Sequence, residues 1–309
     1  MMMNRRGTKP RMLNRQKCIL YMLERAGRPV TRLELTKWAF LLAQEMPSGG
    51  GSAFYDFLPY QYGPFSFTLF HEAESLVRNG YLRTTKVERR DGWERVRDVP
   101  AETPDLTTRV RSDAANVVRR FADRSVDELI GYVYERYPWY TVNSRIHQLQ
   151  ERPVASPAVY TIGYEGCSVD RLLNVLMRRG IQRIIDVRRN PVARRYGFHK
   201  GALDRLCGEV GIGYVHVPEL GIPSELRRNL DGPDARAKLF EDYDTELLPR
   251  QPGAIAKIAR MMTDLPTALM CMEADPAMCH RSRVARAVSS VTDLRVRHVR
   301  GKTCGPDLN

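Results

Sequence analysis

The sequence predicts an α/β protein, with a Rossmann-like, mostly parallel sheet in the C-terminal half and a mainly helical, winged-helix-like domain before it. Two observations predict this. From residue 158 onward, short apolar runs alternate with amphipathic runs that end at glycine, the rhythm of β-α-β units. Before residue 150, segments with helical spacing lead into a polar-apolar alternation around Asp91-Gly92, the pattern of a β-hairpin.

The N-terminal elements follow in order. Residues 15–26 carry apolar positions at helical spacing, and Val30-Thr31-Arg32 opens a second helix over Leu33–Gln44. A glycine-serine connector, PSGGGSA, precedes an aromatic, turn-rich block from Tyr55 to Phe70. This block reads as core and interface. A helix over Phe67–Arg78 stops at Asn79-Gly80. The alternation over 81–99 then forms the wing, with Lys86, Arg89, Arg90, Arg95 and Arg97 on it. Further helices are expected at 105–123 and 125–137.

ERPVASP, residues 151–157, reads as a linker. Beyond it, strands are expected at 158–163, 183–187, 214–217, 267–272 and 295–299. Helices are expected at 169–179, 200–210, 234–247, 252–262 and from 279. The division is therefore a basic arm at 1–14, a winged-helix-like domain at 15–150, the linker, and a Rossmann-like domain at 158–309.

Composition limits the function. With 309 residues and 43% of them hydrophobic, the chain can bury two cores. No apolar run approaches the roughly 20 residues of a membrane span. The opening MMMNRRGTKPRMLNRQK lacks an apolar stretch and reads as a basic arm, not a secretory signal. Six cysteines without a CxxC pair are no disulfide framework, which points to the cytoplasm. A net charge of +13 favours a polyanionic partner, with nucleic acid first.

The expected strand ends collect polar residues. They are Gly163-Tyr164-Glu165-Gly166, Asp186-Val187-Arg188-Arg189, Pro218-Glu219 and Glu273-Ala274-Asp275. Ligands of open α/β sheets sit outside such strand ends. Residues 178–200 hold eight basic residues and one acid, interleaved with Tyr196 and Phe198, a pattern suited to phosphates and unstacked bases. Cys279-His280-Arg281 opens a helix, where backbone N–H groups attract anions. A phosphatase loop would need Arg six positions after Cys, but Ala285 follows Cys279 and Ala277 follows Cys271. A zinc site on Cys271, Cys279 and His280 is set aside because Cys271 is expected within a strand. A nucleophilic Cys279 and simple anion binding stay open.

TIGYEG, IIDVRRNP, the arginine-aromatic stretch to Phe198-His199-Lys200, YVHVPELG and LMCMEADPAMCHRS occur in order. Together they resemble the Rossmann-like family of unknown function numbered 488, across about 158–300. LTKWAFLL and YDFLPYQYGPFS…LVRNGYL resemble the Panacea or SocA-like antitoxin-type domain, across about 15–145. The first resemblance implies a link to anti-phage defence and DNA glycosylase activity on modified bases. The second implies a binding module that contacts DNA or a protein partner.

Cleaving an N-glycosidic bond needs an extruded base, a carboxylate and cationic phosphate contacts. Glu273 or Asp186 is the expected catalytic carboxylate, with Glu165 and Asp275 in reserve. Tyr164, Tyr196 and Phe198 would stack on the base. Arg188, Arg189, Arg194, Arg195, Lys200 and Arg281 would hold phosphates, and Cys279 and His280 would shape the pocket. No metal or cofactor is expected. The alternative is a DNA-binding regulator or antitoxin whose α/β domain senses a nucleotide-like ligand.

Overall fold

The computed structural model describes residues 12–96, 106–227 and 233–300. The basic arm to residue 11 and Arg97 of the expected wing lie outside them. The chain divides into two compact units between Leu149 and Gln150.

The N-terminal unit begins with α1 (Asn14–Ala26), β1 (Val30–Thr31) and α2 (Arg32–Glu45). Thr31 caps α2 and Glu34 reaches back to it, a capping box that fixes the start of that helix. β2 (Leu58–Tyr60) and β3 (Gly63–Phe65) form a short hairpin from the aromatic block. Phe40 packs edge-on against Phe57, Tyr137 and Tyr140. The block is therefore core, not an exposed stacking platform.

α3 (Phe67–Arg78) has the expected bounds, set by the Ser66 cap and by Asn79-Gly80. β4 (Leu82–Val87) and β5 (Arg90–Arg95) pair antiparallel, and β1 adds a third strand in the order β1-β5-β4. The turn falls at Glu88-Arg89, both at positive φ, and not at Asp91-Gly92. Gly92 serves elsewhere, because a Cβ there would stand 2.6 Å from the Val30 carbonyl oxygen of the neighbouring strand. α4 (Thr108–Phe121) and α5 (Val126–Arg136) complete the unit.

The C-terminal unit carries a five-stranded parallel sheet, confirming the α/β class. Its elements are β6 (Val159–Gly163), α6 (Val169–Arg178), β7 (Arg183–Asp186), α7 (Lys200–Glu209) and β8 (Gly213–His216), then α8 (Pro233–Asp242), α9 (Pro252–Asp264), β9 (Thr267–Cys271), α10 (Arg281–Thr292) and β10 (Val296–Val299). The helix expected over 234–247 is shorter, because a π-turn over Tyr243–Leu247 follows α8.

Every residue of β6 and β9 is buried, which explains their unbroken apolar runs. Residues 151–157 are anchored to this unit: Arg152 donates to the carbonyls of Val210 and Ile181, and Ala155 N–H donates to Gly180. Among the described residues no helix is long and apolar enough to cross a membrane.

The strand order is β10-β6-β9-β7-β8. β9 thus lies between β6 and β7, which are consecutive in sequence. The chain moves outward from β7 to β8 and returns through β9, so the switch in direction falls around the centre of the sheet. The carboxyl ends of β6, β9 and β7 converge there.

Candidate functional site

The expected site residues separate into two clusters. The first closes around Asp186, the last residue of β7, which is fully buried. Its carboxylate accepts from the Arg188 backbone N–H at 3.0 Å, Arg188 Nε at 2.8 Å, Arg188 Nη2 at 2.6 Å and Tyr214 Oη at 2.8 Å. Those four bonds occupy both oxygens. Arg188 also donates to Tyr164 Oη at 2.8 Å and to the Phe198 carbonyl at 3.0 Å. Tyr164 and Phe198 stack with ring centroids 4.2 Å apart.

These contacts revise several expectations. Phe198 is fully buried and stacks on Tyr164, so it offers no face to a base. Arg188 is 5% exposed and engaged with Asp186, not with phosphate. Burial alone would lower the Arg188 pKa, but the bonds and charge of Asp186 raise it above the ordinary arginine value. Burial pushes the Tyr164 and Tyr214 hydroxyls up, so both stay protonated, Tyr214 donating to Asp186 and Tyr164 accepting from Arg188.

The second cluster surrounds Glu273, just beyond β9. Gly163 at the end of β6 makes room for it, since a Cβ on Gly163 would stand 1.8 Å from the Glu273 carbonyl oxygen. Arg281 is 1% exposed and donates to the carbonyls of Glu273 and Ala274. It therefore holds the loop backbone rather than a phosphate. Exposed Glu165 accepts from Ala274 N–H at 2.9 Å, and Asp275 caps the short turn through Ala277 N–H at 2.9 Å.

Glu273 Oε2 lies 3.0 Å from Cys279 Sγ and 3.3 Å from Cys271 Sγ. Cys271 Sγ is 3.8 Å from His280 Nδ1, and His280 Nε2 is 3.1 Å from the Val187 carbonyl oxygen. Cys271 is the last residue of β9, so the strand does not remove its sulfur from the site. Burial raises the Glu273 pKa, and the neighbouring Cys279 raises it further. Burial acts upward on Cys279 as well, but Cys271, His280 and the charge of Arg281 outweigh it and bring the thiol down to about 3. The Cys271 thiol is raised, first by its bond with Cys279 and then by burial.

Glu273, Cys279 and His280 line a cavity of about 360 Å³, with Glu165, Asp275 and Arg236 also on its walls. Arg236 and Tyr243 were missed from the sequence. Tyr243 Oη donates to Leu220 at 2.6 Å, and its ring stands edge-on to His280 at 5.7 Å. Nothing in the helical pattern of 234–247 singles either out. A larger groove of about 730 Å³, against α9 and α10, is lined mainly by aliphatic side chains such as Leu248, Ile255 and Val291. It lacks the convergent titratable groups that mark the smaller cavity.

The loop that supplies Arg188 and Phe198 to the first cluster also carries the exposed basic residues. Arg189, Arg194, Arg195 and Lys200 are exposed, Arg189 donates to the Pro218 carbonyl at 3.3 Å, and Tyr196 is half-buried.

Fold and site define a parallel α/β domain with a carboxylate-thiol-imidazole cavity at the carboxyl edge of its central strands. The family model for the domain of unknown function DUF488 matches residues 168–288. The match spans α6 to α10 and includes Asp186, Glu273, Cys279 and His280, while Tyr164 and Glu165 precede it. No curated protein and no solved structure matches the chain.

Proposed function

We propose that the C-terminal unit hydrolyses the N-glycosidic bond of a modified base in DNA, leaving an abasic site, and that Glu273 is the catalytic carboxylate. One observation carries this reading: Glu273 is a half-buried carboxylate with a raised pKa on the wall of a nucleoside-sized cavity. Such a group can take a proton from attacking water and balance positive charge on the sugar. The base must leave the stack to reach it. Asp186 acts as a positioning residue, since its oxygens are already engaged. Arg194, Arg195 and Lys200, on an exposed loop, contact flanking phosphates.

The N-terminal unit supports this reading with a three-stranded wing carrying Lys86, Arg89 and Arg90. Two of these already have carboxylate partners, Lys86 with Asp91 at 2.6 Å and Arg90 with Asp127 at 3.5 Å. That favours a second use of the unit, contact with a protein, as in an antitoxin-type module. The biological setting we propose is cytoplasmic defence against phage DNA with hypermodified bases.

The test is abasic-site formation on genomic DNAs carrying natural or hypermodified bases, with wild type and Glu273→Gln side by side. The reading expects abasic sites with wild type alone, while both proteins retain DNA affinity. DNA binding by both with no abasic sites on any genome would replace it with the regulator reading.

A further inference from the structure

We propose that Cys271, Cys279 and His280 form a binding site for one zinc-class divalent cation, with the coordination position opposite them facing Glu273 and the cavity. The donor atoms of all three residues lie within 4.8 Å of one another. A tetrahedral zinc site with its usual bond lengths sets sulfur and nitrogen donors about 3.6 Å apart. The observed separation of Cys271 Sγ and His280 Nδ1 is 3.8 Å. The Cys271–His280 pair thus already stands close to that spacing, and the third donor lies within 4.8 Å of both.

The imidazole is already set for this role. The Val187 carbonyl can only accept, so the His280 Nε2 facing it carries the hydrogen, and Nδ1 presents its lone pair to the sulfurs. A ligating histidine is normally fixed in this way by a backbone carbonyl behind it. The Tyr243 ring, edge-on to His280, limits its rotation. Two sulfurs and one nitrogen select zinc and similar ions over magnesium or calcium. Glu273 Oε2 lies within 3.3 Å of both sulfurs, beside the three-donor group, and such a site leaves its fourth position to a further donor or a bound water.

The proposal rests on donor geometry and stands independently of which bond the enzyme breaks. The competing reading is a buried thiol pair that bonds only to Glu273 and takes no cation.

The experiment uses the full chain. Metal content is measured after purification and again after incubation with zinc and removal of the excess. Cobalt(II) is then added to the metal-free protein and its thiolate charge-transfer absorption recorded. We expect one zinc per chain and a saturating cobalt signal at one equivalent. Cys279→Ser and Cys271→Ser should each reduce affinity at least tenfold. Cys18→Ala, in the other unit, should leave affinity unchanged.

The wild-type cobalt spectrum decides the question even if a variant fails to fold. No thiolate absorption and substoichiometric zinc in folded wild type would overturn the proposal, whether or not DNA is cleaved. Stoichiometric thiolate-bound metal without DNA cleavage would uphold the site and overturn only the hydrolysis reading.

Discussion

Asp186→Asn separates a structural carboxylate from a catalytic one. The side chain is fully buried and accepts three bonds from Arg188 and one from Tyr214. The amide removes the negative charge and turns an NH2 group toward donors. Arg188, 5% exposed, is left as a buried cation whose remaining partners are a phenol and a carbonyl. Breaking one side of such a buried pair costs about 3–5 kcal/mol. For a unit of this size each kcal/mol moves Tm by roughly 2–4 °C, so the transition that unfolds it should fall by roughly 6–20 °C.

Calorimetry on the full chain would measure the change. Pairing the variant with Arg188→Met completes a double-mutant cycle. The double variant should lose less than the sum of the singles, with a coupling of about 1–3 kcal/mol, because no buried charge is left unpaired. A variant with Asp186→Asn that melts within about 1 °C of wild type and has lost abasic-site formation would refute this reasoning and return Asp186 to the catalytic role.

Gly163→Ala should destabilise the C-terminal unit and abolish activity, because its Cβ would meet the Glu273 carbonyl oxygen at 1.8 Å. Gly208→Ala on α7, whose Cβ meets nothing within 4 Å, should be neutral or gain roughly 0.5–1 kcal/mol. Thermal melts of the two compare them directly. Replacing both Arg194 and Arg195 with alanine should weaken DNA binding on all sequences and reduce the slope of log affinity against log salt by about 2. Unchanged salt dependence would remove the loop from the interface.

Lys37 is fully buried, and burial lowers its ammonium pKa from 10.5 to about 7. As pH falls from about 10.5 the unfolded chain takes up this proton first, so stability drains away between there and about 7. The loss is on the order of 5 kcal/mol by the usual conversion. Lys37 Nζ donates to the carbonyls of Tyr62 and Pro64, which offsets part of it. Melts at pH 7 and pH 10 should show a smaller rise with pH in Lys37→Met than in wild type.

Local physics explains what the sequence revealed about the fold. α3 was legible to the residue because Ser66 and Asn79-Gly80 carry its cap chemistry within a few positions. The β6 and β9 runs were legible because both faces of those strands are covered. The wing turn was misplaced because Asp91-Gly92 has the composition of a hairpin turn while Gly92 answers a non-local demand, the approach of Val30. The π-turn at Tyr243–Leu247 has no periodic signature, so α8 was drawn too long. In the site, residue types at strand ends were legible but their availability was not. Tyr214, 28 residues away, helps occupy Asp186, and a stacking partner takes Phe198 out of solvent. The Cys271-Cys279-His280 grouping is legible in the sequence but is set aside there because Cys271 is expected within a strand, and Cys271 proves to be the last residue of β9.

The two clusters are mechanically joined, which gives their acids different work. Asp186 binds both the backbone N–H and the guanidinium of Arg188, so it fixes the backbone on either side of Val187. The Val187 carbonyl is the atom that orients His280. His280 in turn stands 3.8 Å from Cys271 Sγ, beside the Glu273 carboxylate. A change at Asp186 should therefore reach the cavity through the imidazole, without any contact between Asp186 and the substrate. Asp186→Asn protein that stays folded at low temperature should then bind cobalt(II) more weakly than wild type while keeping all three donors. Equal affinity would uncouple the clusters and leave His280 oriented by Tyr243 alone.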